Sequence, residues 1–264
     1  MAEVATGASE APDSRPPGAP ELVSALAKRR RIAIVPALNE EGSIGAVIDE
    51  IRAFDPGFEI VVVDDGSIDG TREIARARGV HVLRLPFNLG IGGAVQTGYK
   101  FAFERGYELA VQIDADGQHD PRELPAILRP VLAGEVDMAV GSRFAGTKGY
   151  RVPFMRRLGT RLFAGVISAI VRQRVTDTTS GFRAVNRRGI RLFAADYPHD
   201  YPEVEATVLL IKHRLRLCEV PVAMRERTAG RSSIRVPHSI LYMVKVLLAV
   251  FVGIFRRTVP LEER

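Results

Sequence analysis

Four continuous apolar runs, each feeding a helix-period stretch or a polar loop, constrain the fold of this chain more than any other feature. Ile32-Ala33-Ile34-Val35-Pro36 is followed by apolar positions at Ile44, Val47, Ile48 and Ile51. Glu59–Asp64 leads to a helix beginning near Thr71, Val80–Leu85 to a helix over about 91–105, and Leu109–Ile113 forms the fourth run. A strand that is apolar without alternation is covered on both faces, and strands separated by helices pair in parallel. The pattern predicts an α/β fold with a mainly parallel, Rossmann-like sheet flanked by helices. In such sheets ligands collect at the C-terminal strand ends. The polar motifs fall at those ends, in loops 37–41, 64–71 and 114–119.

At 264 residues and 46% hydrophobic content, the chain is long enough for one large domain or two small ones. The single cysteine, Cys218, excludes an internal disulfide framework and fits a reducing compartment. No apolar secretory segment is expected at the N-terminus. Residues 1–27, rich in Ala, Pro, Gly, Ser and Glu, are expected to be a disordered tail. Charge is unevenly spread: residues 143–264 carry 23 Lys/Arg against 9 Asp/Glu, residues 1–142 carry 14 against 22. The C-terminal part therefore faces something anionic, such as phosphates, lipid headgroups or nucleic acid.

The loops carry distinct chemistry. In Gln112-Ile113-Asp114-Ala115-Asp116-Gly117-Gln118, alternate side chains of an extended run share a face, which predicts that Asp114, Asp116 and Gln118 point together. Three oxygen-bearing side chains at a strand end suit Mg²⁺ or Mn²⁺, completed by substrate phosphate oxygens. A solvated Asp-Gly turn is the plainer alternative. In Pro36-Ala37-Leu38-Asn39-Glu40-Glu41, Asn39 or Ser43 is placed to cap a helix, and Glu40 either holds a ribose hydroxyl or favours the helix dipole. The pair Asp64-Asp65 can accept from a base N–H and a ribose, while Asp69 and Thr71 read as capping residues. Asn88-Leu89-Gly90-Ile91-Gly92-Gly93-Ala94 is a glycine-rich turn with Val95 where a dinucleotide fingerprint needs its third glycine. Close helix packing explains those glycines equally well.

Taken in order, Pro-Ala-Leu-Asn-Glu-Glu, Val-Val-Asp-Asp-Gly-Ser-x-Asp-Gly-Thr, Asn-Leu-Gly-x-Gly-Gly-Ala and Asp-Ala-Asp-Gly-Gln-His-Asp-Pro resemble glycosyltransferase family two. Asp177-Thr178-Thr179-Ser180-Gly181-Phe182-Arg183 narrows the resemblance to the dolichol-phosphate mannose synthase and polyprenyl-phosphate glycosyltransferase branch. It covers roughly residues 31–235. The resemblance implies a GT-A fold, a GDP- or UDP-type nucleotide-sugar donor, a divalent cation and an inverting transfer to a polyprenyl phosphate. It assigns Pro36, Leu38, Glu40, Asp64 and Asp65 to the nucleotide. Asp114 is assigned to ribose, sugar or metal, Asp116 and Gln118 to the cation, and Arg143 to the donor phosphate or sugar.

The chemistry can also be reasoned directly. Positive charge grows at the anomeric carbon and negative charge on the departing diphosphate, which a cation and Arg143 would stabilise. A phosphate monoester acceptor is already ionised, so it requires positioning and charge compensation rather than a strong general base. Arg151, Arg156, Arg183, Arg225, Arg227, Arg231 and Ser232 are the candidates for that task. Glu203 and Glu205 read most simply as charges at a helix N-terminus. The resembling branch ends this region with Arg-x-x-Gly-x-Ser-Lys, whereas this chain has Ser233 in place of the lysine.

Two segments point to a membrane surface. Over 154–172, apolar residues recur at helical spacing opposite Arg157, Arg161 and Arg172, a pattern shared by interfacial and core helices. Residues 240–255 are apolar except for Lys245, and are short of the roughly 20 residues a simple span requires. The expected organisation is a tail over 1–27, a catalytic domain over 28–235 containing the 154–172 interface helix, and a C-terminal interface helix and tail over 236–264. The expected partners are the donor, the polyprenyl phosphate and a membrane surface on its cytoplasmic side, with a membrane protein as the alternative anchor and without nucleic acid. Other readings are a transferase acting on a glycan hydroxyl, with Glu203 or Glu205 as base, a nicotinamide-dependent oxidoreductase, and a non-catalytic membrane-binding module.

Overall fold

The computed structural model describes residues 19–143, 177, 180–199 and 201–225, with isolated positions 165 and 248. The strands are β1 (Arg31–Ala37), β2 (Glu59–Asp64), β3 (His81–Arg84), β4 (Leu109–Gln112), β5 (Met138–Ser142), β6 (Arg183–Asn186) and β7 (Leu217–Pro221). The helices are α1 (Ala19–Ala27), α2 (Ile44–Phe54), α3 (Thr71–Ala77), α4 (Gly90–Glu104), α5 (Leu124–Leu132), α6 (Arg187–Ala195) and α7 (Pro202–Lys212). A short 3₁₀ turn, Pro121–Glu123, precedes α5.

The unbroken apolar strands follow from a sheet buried on both sides. Ala33, Val35, Ile60, Val62 and Val111 face one core with residues of α2 and α5. Ile32, Ile34, Val61, Val63 and Ala110 face a second core with residues of α4 and α6. Alternate residues of one strand thus serve opposite cores, and each buried Val or Ile contributes about 1.5–3 kcal/mol of burial.

The strand order is β3-β2-β1-β4-β6-β5-β7. The parallel pairs are β1 with β2, β2 with β3, β1 with β4 and β5 with β7, while β6 runs antiparallel to β4 and β5. The chain moves outward from β1 to β3 and then returns to the other side of β1, so the loops after β1 and β4 diverge and leave a crevice. The reversed β6 enters the sheet at that same end, with Arg183 opposite Gln112. The last residues of β5 and β7 arrive there too. One sheet end thereby gathers Asp64, Asp114, Arg143 and Gly181.

Two expectations are modified. Residues 19–27, read by composition as tail, form α1, because Leu26 is buried and Leu22 packs on the first core; Arg31 Nη1 donates to Leu26 O at 2.8 Å. The asserted alternation of Asp114, Asp116 and Gln118 on a strand is replaced by a turn, since β4 ends at Gln112. In the 88–94 turn Gly92 serves close packing, since a Cβ there would lie 2.4 Å from Pro198 O, while Gly90, with φ of 79°, makes the turn. The helix expected over 154–172 and the segment 236–264 lie outside the described residues. Among the described residues, no helix is long and apolar enough to cross a membrane.

Candidate functional site

The loops after β1 and β2 are laced together. Asn39 N donates to Ser67 Oγ at 3.0 Å and Ile68 N to Asn39 Oδ1 at 2.9 Å. Glu40 N donates to Thr71 Oγ1 at 2.8 Å, and Gly70 N to Glu41 Oε2 at 2.9 Å. Asn39, with φ of 55°, makes the turn. Asp69 accepts the Thr71 amide at 3.0 Å, in keeping with its expected capping role. The Glu40 carboxylate accepts from Ser43 Oγ at 2.9 Å, so it is oriented along the start of α2. Pro36 is enclosed within β1, while Leu38 is 40% exposed at the rim.

Asp64 and Asp65 stand at the end of β2, both buried. Asp64 Oδ1 accepts from Ser67 N at 2.9 Å, whereas the buried Asp64 Oδ2 has no partner among the described residues. A buried carboxylate oxygen without a donor is costly and calls for an explanation. Asp65 Oδ1 accepts from Leu89 N at 2.7 Å, and burial pushes its carboxyl above the usual aspartate range.

After β4 the chain turns at Gly117, whose φ is 77°. Asp116 is buried, and its Oδ1 accepts from Gln118 N at 3.0 Å. His119 Nδ1 accepts the Asp114 amide at 3.0 Å, which assigns the ring proton to Nε2, 3.6 Å from Asp114 Oδ2. The imidazole is buried and stacks on Phe182, with ring centroids 4.9 Å apart. Gly181 packs against the Asp114 carboxylate: a Cβ there would lie 3.1 Å from Oδ1 and 3.2 Å from Oδ2. The shape of the acidic loop thus comes from a turn stapled by backbone amides and His119.

Arg143 follows β5 and meets Asp177 through paired hydrogen bonds of 2.8 and 2.9 Å. The Asp177 side chain is fully buried, and its amide donates to Glu219 Oε1 at 2.9 Å. Arg183, expected to contact an acceptor phosphate, is only 1% exposed. Its Nε donates to Ser180 O and its Nη2 to Glu203 O, so the guanidinium is turned into the fold and away from an exposed phosphate site. The Arg225 guanidinium is taken by Glu50 at 2.7 Å and Asp120 at 2.8 Å. Its amide donates to Gln118 O at 2.9 Å, tying the chain beyond β7 to the acidic loop. Arg225 is therefore a clamp on that loop and not a free acceptor ligand. Arg151, Arg156, Arg227, Arg231 and Ser232 lie outside the described residues.

Sequence reasoning assigned no role to His119, Asp177, Gly181 or Glu219. The first three lie within the quoted motif strings, whereas nothing local to Glu219 announces its contact with Asp177.

The donor set fits a divalent cation completed by substrate. Among the described residues no group of three His, Cys, Asp or Glu is gathered for a metal. Two carboxylates and an amide lie on one turn, oxygen donors of the kind a hard divalent cation takes, with no Cβ on Gly181 beside Asp114.

Residues 32–193 match the family model described as Glycosyl transferase family 2. This chain belongs to that family. It is 33% identical over 212 residues to the undecaprenyl-phosphate mannosyltransferase of Micrococcus luteus, covering 77% of this chain and 86% of that protein. It is likewise 33% identical over 214 residues to the polyprenol monophosphomannose synthase of Mycolicibacterium smegmatis, covering 77% and 80%. The fold resembles that of glucosyl-3-phosphoglycerate synthase from Mycobacterium tuberculosis, with a TM-score of 0.69 and 25% identity over 90% of this chain and 85% of that one. That structure was solved with Mn²⁺, UDP and glucosyl-3-phosphoglycerate. The family-2 glycosyltransferase described here has the GT-A architecture, its mixed sheet mostly parallel and flanked by helices.

Proposed function

We propose that this glycosyltransferase moves a hexose from a GDP- or UDP-type donor to a polyprenyl phosphate, with inversion, at the cytoplasmic face of a membrane to which it binds peripherally. The observation that carries the reading is the gathering of the Asp114–Gln118 turn, the Arg143–Asp177 pair and the buried Asp64–Asp65 pair at one sheet end. The names of the relatives from M. luteus and M. smegmatis support the acceptor class. The Mn²⁺ and UDP of the M. tuberculosis structure support the cation and the nucleotide.

In this reading, Pro36, Leu38 and Glu40 border the nucleoside, with Asp64 Oδ2 accepting from a base N–H and Asp65 fixing the adjoining loop. Asp114, Asp116 and Gln118 would hold Mg²⁺ or Mn²⁺, and the bound cation would supply positive charge to offset that developing on the diphosphate. Arg143 faces the same oxygens; Asp177 keeps its planar fork in place, so little reorganisation is needed as charge moves. An acceptor phosphate oxygen attacks the anomeric carbon from the side opposite the leaving group. The bond from that carbon to the diphosphate oxygen breaks as the new one forms, and the electron pair leaves with the nucleoside diphosphate. A single displacement of this kind inverts the configuration. With Arg183 buried and Arg225 clamped, the acceptor phosphate falls to Arg151, Arg156, Arg227, Arg231 and Ser232.

The test is a panel of GDP- and UDP-hexoses offered with a short-chain polyprenyl phosphate, with and without Mg²⁺ or Mn²⁺. Lipid-linked product that requires the cation is expected. Transfer to an oligosaccharide hydroxyl while polyprenyl phosphate stays unmodified would overturn the assignment.

A further inference from the structure

One imidazole meets both the main chain and the side chain of Asp114. His119 Nδ1 accepts the Asp114 amide at 3.0 Å, and Nε2 lies 3.6 Å from the Asp114 carboxylate oxygen Oδ2. A backbone N–H can only donate, so Nδ1 carries no proton and the neutral ring holds its proton on Nε2, beside that carboxylate. The first contact is enough to shape the turn. The second is left over by that structural role.

The ring is held where it is. His119 is 4% exposed, its imidazole is stacked on Phe182 with the two planes 14° apart, and its backbone forms an antiparallel bridge with Met224. Phe182 is confined in turn, since a Cβ on Gly141 would lie 2.9 Å from its Cδ1. The Asp114 side chain, by contrast, is 35% exposed. Its terminal torsion joins an sp³ to an sp² carbon, a broad well in which a small rotation costs little. Gly181 places no Cβ against either carboxylate oxygen to obstruct that rotation. A separation of 3.6 Å is too long for a hydrogen bond, and closing it to the roughly 2.7–3.2 Å of an N–H···O bond takes only a small turn of the carboxylate.

We propose that His119 is a positioning residue for the cation site: its Nε2–H takes Asp114 Oδ2 when the site is loaded, and so presents Oδ1 to the metal. The proposal rests on the glycosyl-transfer reading above and adds to it a residue that touches neither metal nor substrate. Carboxylates that ligate a metal are themselves hydrogen-bonded by neighbours that set their direction. The two ring nitrogens thereby divide the work, Nδ1 holding the turn and Nε2 aiming the carboxylate.

His119→Asn separates the two contacts. The asparagine Oδ1 stands in for Nδ1 and still accepts the Asp114 amide, while the donor at the Nε2 position is lost. Urea unfolding reads the loop contact, electron paramagnetic resonance of added Mn²⁺ with UDP or GDP present reads cation binding, and diphosphate titration without metal reads the nucleotide. The unfolding midpoint is expected near that of wild type. Metal-free diphosphate affinity should stay within about twofold, with Mn²⁺ affinity down roughly 10- to 100-fold, the usual effect of losing such a partner. Mn²⁺ affinity equal to that of wild type, or falling only in step with metal-free diphosphate affinity, would overturn the contact. Should the variant not fold, the wild type alone decides by NMR of ¹⁵N-labelled protein. Its His119 ring is expected as the Nε2–H tautomer, with that proton moving downfield on addition of Mg²⁺ and diphosphate; a proton that does not move overturns the contact. A wild type that binds neither Mn²⁺ nor either diphosphate sinks the glycosyl-transfer reading itself, whereas a wild type that binds both and is matched by His119→Asn sinks this contact alone.

Discussion

Arg143 and Asp177, 34 residues apart in sequence, form a two-pronged ion pair: Nε to Oδ2 at 2.8 Å and Nη2 to Oδ1 at 2.9 Å. Asp177 also takes the Arg143 amide at 3.1 Å, so backbone and side chain are fixed together. Replacing Asp177 by Asn removes the charge that holds the fork. Transfer is expected to fall about 10- to 100-fold, as for loss of a charge-assisted contact. UDP or GDP affinity should change much less, and steady-state kinetics beside a nucleotide titration read the difference.

Gly181 gives a second prediction. An added methyl would lie 3.0 Å from Gln112 Nε2 and 3.1–3.2 Å from the Asp114 carboxylate oxygens. Gly181→Ala should therefore displace Asp114 more than it disturbs the core. Stability is expected to fall by no more than about 1–3 kcal/mol, the usual range for overpacking. Mn²⁺ affinity, followed by electron paramagnetic resonance, should drop by more than thermal unfolding alone would suggest.

Asp65 sets a pH dependence. Its folded pKa is raised by burial, so the charged form is lost at a higher pH than for a free aspartate, whose value is about 3.9. As pH falls through that raised value, the carboxylate becomes a neutral acid and holds the Leu89 amide less strongly. Nucleotide affinity is expected to weaken on acidification before an unperturbed aspartate would titrate, and Asp65→Asn should flatten that limb of the profile.

Much of the scaffold was legible because burial on both faces leaves a direct trace in sequence. Ile32–Val35 and Ile60–Val63 have no solvent face, so they show no polar alternation. The acidic loop was legible as a cluster but not as a geometry. Its shape depends on His119, whose ring reaches back to the Asp114 amide, and on Gly181, just before β6 and far along the chain. Arg183 was misread because an arginine in a basic half looks solvated. Its burial is set by the neighbouring Phe182, Ala184 and Val185, all at 0% exposure, and by β6 entering between two strands. Arg225 was misread for a related reason: its partners Glu50 and Asp120 are 175 and 105 residues away.

The Arg225 clamp carries a stability prediction. Burial alone would raise the Asp120 carboxyl, but hydrogen bonds from Arg122 and the charge of Arg225 hold it below the usual range. A carboxyl depressed in the folded state stabilises the fold above its unfolded pKa, and that contribution is lost as pH falls through the lower folded value. Arg225→Met is expected to cost about 1–2 kcal/mol at neutral pH, because Asp120 is left buried without one of its cations. Urea unfolding at pH 7 and at pH 3 measures it, with the gap between variant and wild type narrowing at the lower pH.

Titration of UDP and GDP into wild type and Asp116→Ala, each with and without Mn²⁺, bears most directly on the acidic turn as a cation site. In the wild type, Mn²⁺ should tighten binding of the preferred diphosphate by at least about tenfold, the effect of roughly 1.4 kcal/mol. In Asp116→Ala, affinity should be the same with and without the metal. Equal tightening by Mn²⁺ in both proteins, or none in the wild type, would contradict it.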